Sequence, residues 1–252
     1  MGRLTKQQDA YGQAMWDAID DPQAACVIER EDGFVDVDHT RHYMSEFKDW
    51  ARHERQGLSL ARGRVLDVGC GAGRVGLYLQ EKGLDVLGID NSPSAIKACK
   101  QRGLKKAKVM SITQVSRRLG VFDTIVMYGN NFGLFGSFKR ARRLLRRFHA
   151  MTSLPGRIIA QTNDPHLPPG QKPRSVVEKC HLAYRRANVR RGRMAGQIRF
   201  RIRYHDLCTP YLDYLFVSRD EMREIVDGTG WKISRFFDSK GSVYIAVLEK
   251  EQ

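Results

Sequence analysis

The chain has 252 residues, 42% of them hydrophobic and 9% aromatic, enough to bury a sizeable core without metals or disulfides. Its five cysteines (Cys26, Cys70, Cys99, Cys180, Cys208) are scattered and form no C-x-x-C pair, so neither a disulfide framework nor a zinc site is indicated. The net charge of +15 is regional: residues 139–207 hold 18 lysines and arginines against three acids, and the remainder balances, so the excess bears on partners rather than on fold.

Residues 1–60 predict a slightly acidic helical extension, broken at Asp21–Pro22 and Asp32–Gly33. Tyr43, Phe47 and Trp50 follow i, i+4, i+7 and predict one buried helix face, while Tyr11 and Trp16 suit either a lid or core. From Arg64 strands and helices alternate. VLDVG, DVLGID, KAKVMSI, VFDTIVMYG and GRIIAQTND read as strands; GRVGLYLQEKG, SAIKACKQRG and Lys139–His149 read as helices. Ser92–Pro93 suits a helix start, since Ser caps and Pro tolerates the first turn. Such βαβ rhythm means a parallel sheet that binds ligands beyond the carboxyl ends of its strands.

The rhythm changes at the Pro-rich loop Pro165–Gly170. QIRFRIRY then alternates strictly: Ile198, Phe200, Ile202 and Tyr204 face one way and Arg199, Arg201 and Arg203 the other. YLDYLFV reads as its antiparallel partner. SRDEMREIVDGTG is a capped helix, and WKISRFF with VYIAVLEK closes the chain as a hairpin. The expected domains are a lid over residues 1–60, a ligand-binding core over 61–163, a basic cap over 164–217, and a helix and hairpin over 218–252 that complete the sheet. The sequence opens without an apolar leader segment and no apolar run reaches about 18 residues, so a soluble, cytoplasmic protein without a membrane partner is expected.

Two ligands compete for the glycine turn. Gly71-x-Gly73-x-x-Gly76 follows a strand, and Asp90 lies 19 residues after Gly71, which fits a dinucleotide fingerprint. Asp67 argues against a diphosphate, because a carboxylate a few ångströms away opposes the anion by about 1–4 kcal/mol near a surface. An aminoacyl sulfonium without phosphate reverses that sign, and its ribose still needs an acid. A turn acid with no ligand role is the remaining alternative.

VLDVGCGAGR followed by GIDNSP resembles motifs I and II of the class I S-adenosylmethionine-dependent methyltransferases, over roughly Arg64 to Asp164. The resemblance implies an α/β fold: a doubly wound, Rossmann-like seven-stranded sheet ordered 3-2-1-4-5-7-6 with strand 7 antiparallel, carrying the helical extension and an inserted antiparallel hairpin cap. It implies S-adenosylmethionine as methyl donor, with Asp67, Gly69, Cys70, Gly71 and Gly73 at the methionine moiety, Asp90 on the ribose, and Asn91 near the adenine. The family's acid after strand 3 is replaced by VMSIT, which leaves Ser111 and Ile112 for the adenine. Tyr128-Gly-Asn-Asn-Phe-Gly stands where exocyclic-amine methyltransferases carry an N-P-P-Y motif, which weakens a DNA-adenine reading.

Tyr128 and Asn130, with Asn131, are the candidate reaction chamber, Tyr128 also touching the donor; His166 is a candidate base. No metal site is expected. A small-molecule acceptor under the cap is the first reading, with transfer to an O, N or C nucleophile. An RNA acceptor docked on the arginines of 139–207 is the alternative, ahead of an NAD-dependent oxidoreductase or a non-enzymatic RNA-binding module. Acceptor atom and oligomeric state are left open by the sequence.

Overall fold

The computed structural model describes residues 2–168 and 170–251. The elements in chain order begin with α1 (Ala10–Asp17), the hairpin of β1 (Ala25–Arg30) and β2 (Val35–His39), and α2 (Arg52–Leu58). The core follows as β3 (Arg64–Val68), α3 (Arg74–Glu81), β4 (Asp85–Asp90), α4 (Pro93–Gln101), β5 (Ala107–Val109), β6 (Phe122–Met127), α5 (Phe138–Ala150) and β7 (Thr152–Asn163). Then come α6 (Val176–Arg190), β8 (Gln197–Tyr204), β9 (Leu207–Cys208), β10 (Leu212–Leu215), α7 (Arg219–Val226), β11 (Trp231–Asp238) and β12 (Val243–Lys250).

The central sheet runs β11-β12-β7-β6-β3-β4-β5. Counted from β3, that is the expected order 3-2-1-4-5-7-6, and β12 lies antiparallel to β7 and β11. The period of two along β3 explains the layering. Leu66 and Val68 pack towards α5 and α7 with Leu144, Phe148, Met222 and Ile225; Val65 packs the other way against α3 and α4 with Leu79, Ile96 and Cys99. Ser92 caps α4 by accepting from the Ala95 N–H, with Pro93 in the first turn.

Above the carboxyl ends sits a second, antiparallel sheet, β10-β8-β1-β2, with β9 added to β8. QIRFRIRY pairs with β10 as its alternation implies, but also with β1. The cap is therefore shared between the insertion and the N-terminal segment. Two expectations are corrected by the structure. Residues 1–60 are helical only in α1, α2 and short 3-10 turns, because Asp32–Gly33 closes a hairpin between two strands. Tyr43, Phe47 and Trp50 share no helix face. A 3-10 turn over Thr40–Met44 ends at Ser45, which turns extended and accepts the Trp50 indole N–H. Phe47 then stacks on Tyr78 at 3.8 Å, while Tyr43 meets Tyr11 edge-on at 5.6 Å.

No helix among the described residues is long and apolar enough to cross a membrane, and no cluster of ligand-type side chains there could hold a metal ion.

Candidate active site

The turn between β3 and α3 is shaped by what crosses it. Asn131 Nδ2 donates to the carbonyls of Val68 and Gly69 at 3.1 and 2.8 Å. A Cβ on Gly69 would strike that amide, so the residue must be glycine on spacing as well as on its φ of 71°. From β4, Asp90 reaches under the turn: Oδ2 accepts the Gly71 N–H at 3.1 Å and Oδ1 the Ser92 N–H at 2.9 Å. Burial nevertheless pushes its carboxyl up to about 6.

Asp67 lies on the α3 side of β3, only 2% exposed, and its Oδ2 has no hydrogen-bond partner among the described residues. Burial raises its carboxyl to about 7. The acid expected within a few ångströms of the ligand is thus set behind the turn, half-protonated near neutrality. An orphaned carboxylate oxygen beside the turn suits a ligand carrying an ammonium, whose charge would draw the proton off. Gly73 opens α3 in the left-handed region.

The other expected positions divide. The Cys70 thiol packs behind the turn on Gly88, its N–H is used on the Ile89 carbonyl and its carbonyl accepts the Gly73 N–H, so Cys70 shapes the turn and offers a ligand neither its thiol nor its N–H. Asn91 and Ile112 line the cavity. The Ser111 hydroxyl is turned onto Thr113 and caps a short turn. Tyr128 is buried, and its hydroxyl donates to the Glu54 carbonyl of α2 at 2.9 Å. It forms a wall of the chamber with its polar end facing away. Asn130 stands at φ 61°, its carbonyl accepting from Tyr214 at 2.6 Å and its Oδ1 buried without a partner among the described residues. His166 is 50% exposed at the rim, 3.5 Å from Glu221, outside the group that Asn130 and Tyr128 form.

These residues line one cavity of ≈ 1940 Å³ that runs from the glycine turn to the inner face of the cap sheet. Several of its groups were not singled out from the sequence. Gln161 Oε1 accepts the Gly129 N–H at 2.6 Å and fixes the loop after β6. Arg74 lies over the Trp50 ring at 4.0 Å and pairs with Glu54 at 3.0 Å, leaving its buried Nε free of partners among the described residues. Asp38 carries the hydroxyls of Tyr11 and Tyr43. The signal for Asp38 was present: VDVDH alternates directly after an Asp-Gly turn, which marks a hairpin strand.

Residues 65–154 match the family model described as a methyltransferase domain. The chain is 28% identical over 99 residues to the putative methyltransferase YqeM of Bacillus subtilis, a stretch covering 38% of this chain and 40% of that protein. It is 26% identical over 205 residues to the glycine/sarcosine N-methyltransferase of Halorhodospira halochloris, covering 75% of each. Among solved structures, an S-adenosylmethionine-dependent methyltransferase from Bacteroides fragilis, in complex with S-adenosyl-L-homocysteine, superposes with a TM-score of 0.82 at 24% identity. That match covers 100% of this chain and 98% of that one. The CcbJ methyltransferase of Streptomyces caelestis superposes at 0.56 with 12% identity, over 83% and 98%. Residues 65–154 thus match a methyltransferase domain, and the central sheet has the fold of the superposed S-adenosylmethionine-dependent methyltransferases.

Proposed function

We propose that this chain transfers the methyl group of S-adenosylmethionine to a small-molecule acceptor enclosed beneath the cap sheet. The observation that carries the reading is the continuity of one large cavity from the turn–Asp90 contact to the inner face of the cap. Asp90 would hold the ribose hydroxyls, the turn amides and Asp67 the amino-acid end, and Arg74 through its free Nε the donor carboxylate. Asn91 and Ile112 would flank the adenine. The donor supplies an electrophilic methyl, so the chain's task is to align a nucleophile and exclude water. The cap sheet and Tyr128 serve that enclosure. The glycine/sarcosine N-methyltransferase among the relatives favours an amine acceptor.

The arginines of the basic segment favour a small acceptor over RNA. On α5, Arg140 donates to the carbonyls of Phe135 and Leu134, Arg142 to those of Glu224 and Ile225, and Arg147 to that of Thr113. In the cap, Arg193 pairs with Glu31, and Arg201 and Arg203 both pair with Glu29. Six of the eighteen cations that suggested a polyanion are thus engaged in capping loops and in tying the cap strands together. Calorimetry with S-adenosylhomocysteine tests the donor site. Labelled donor incubated with small-molecule extract, RNA or protein then tests the acceptor class; label entering RNA or protein alone refutes it.

A further inference from the structure

Strand β2 puts Asp36 and Asp38 on one face and Val35 and Val37 on the other, the valines being exposed. Asp38 Oδ2 accepts the Tyr11 hydroxyl at 2.7 Å and the Tyr43 hydroxyl at 3.2 Å. Oδ1 has no hydrogen-bond partner among the described residues; His42 Nδ1, which is bonded to the His39 carbonyl, is 3.9 Å away. All three residues line the donor cavity.

The cluster is fastened to the glycine turn from two directions. Arg102 Nη1 bridges the carbonyls of Tyr43 and Ala72 at 3.3 and 2.7 Å. One helical turn after Tyr11, Met15 covers Gly71 so closely that a Cβ there would meet its Sδ at 3.1 Å. Opposite stand Tyr214, bonded to the Asn130 carbonyl, and the unpartnered Oδ1 atoms of Asn130 and Asn163. The unpaired oxygens of Asp38, Asn130 and Asn163 are acceptors set near tyrosine rings, while the unpaired Arg74 Nε, whose charge acts on Tyr43, is a donor in the same cavity. A matching ligand brings N–H donors and positive charge.

Resting on the methyl-transfer reading of this site, we propose that the acceptor is an amine and that Asp38, oriented by Tyr11 and Tyr43, is the base that prepares it. Asp38 Oδ1 draws the ammonium in and takes one of its protons, so that the nitrogen lone pair is freed. That lone pair forms the N–C bond while the C–S electron pair stays with sulfur. The products are the N-methylammonium ion and the neutral thioether, and the proton on Asp38 then passes to water. The charged and titratable groups facing Asp38 are Asp36 on its own strand and Cys26 on β1. His39, His42 and Tyr43 come from the end of β2 and the turn after it, Tyr11 from α1 and Tyr214 from β10.

The test begins with S-adenosylhomocysteine titrated into wild type and Asp38→Asn. Equal affinity shows that the variant is folded and donor-competent; failure of both proteins to bind sinks the donor site and not this inference. Labelled donor with small-molecule extract should place the methyl on nitrogen. With that amine, kcat in Asp38→Asn should fall by about 100- to 1,000-fold and lose its acid limb, a range typical of a removed general base. Amine binding to the S-adenosylhomocysteine-loaded chain, read by calorimetry without turnover, should weaken about 10-fold. Tyr11→Phe should shift the acid limb while leaving donor affinity unchanged. Label found only on oxygen, sulfur or carbon, or no label while the donor product binds, overturns the proposal. So does a variant within about 3-fold of wild type with an unchanged pH profile, or one whose donor affinity falls in step with its rate.

Discussion

Replacing Asp67 by asparagine probes the field behind the glycine turn. The carboxyl is held near 7 in the native state against about 3.9 in an unfolded chain. Between those values the unfolded chain has released a proton that the native state keeps, so stability falls as pH rises from about 4 to 7 and stays low above. At pH 8 the full cost is on the order of 4 kcal/mol, and at pH 5 on the order of 1–2 kcal/mol. The amide of Asp67→Asn is uncharged throughout, so the variant's advantage over wild type should grow by about 2–3 kcal/mol between pH 5 and pH 8. Urea unfolding of both proteins at the two pH values reads this difference, and other titrating groups cancel. Affinity for S-adenosylmethionine should meanwhile fall, because an amide offers no negative charge to an ammonium. A stability difference that stays flat with pH would show that Asp67 is ionised in the empty site and would refute the reasoning.

Asp90→Asn keeps one acceptor oxygen where two N–H groups now bind, and should cost S-adenosylhomocysteine about 10- to 100-fold in affinity by calorimetry. In the wild type that affinity should decline as pH drops through 6, where the Asp90 carboxylate takes up its proton. Tyr128→Phe loses the bond to the Glu54 carbonyl and should destabilise by about 1 kcal/mol with kcat within about 3-fold; a larger loss of rate would return the hydroxyl to the chemistry. Gly12→Ala drives a methyl into Ser92 and Asp9 where α1 crosses α4, and should lower stability by about 1–3 kcal/mol in denaturant titration. Total RNA at moderate salt should leave acceptor turnover unchanged; inhibition that fades steeply with salt would favour the polyanion reading.

The core was legible because its elements are local. Each strand of the βαβ series is an apolar run closed by a glycine or a capping residue, and Ser92 and Ser218 cap the helices that their neighbours announce. That the turn and Asp90 would meet at adjacent strand ends was readable because β3 and β4 pair side by side; the side of the turn on which Asp67 lies was not. The cap was only half legible. QIRFRIRY showed its two faces, yet nothing within it names β1 as its second partner, since that pairing joins residues 28 and 202. Tyr43, Phe47 and Trp50 matched a helical period by chance of spacing, whereas tertiary stacking on Tyr78 decided where Phe47 went. Tyr128 was placed in the chamber wall but not oriented, because the carbonyl that takes its hydroxyl belongs to α2, 74 residues earlier. Asp38 could have been reached through its hairpin signal; its role as the partner of Tyr11 and Tyr43 could not.

The pairing of β1 with β8 also sets an order of assembly. During synthesis the glycine turn, Asp90 and β7 can all be in place while β1 still waits for a neighbour, and the roof closes only after Tyr204 has emerged. A nascent or clipped chain ending near α6 lacks β8 to β10 of the roof and also β11 and β12 of the central sheet. The roof thus joins a strand made before the core to strands inserted within it, and it is complete before the core sheet itself is.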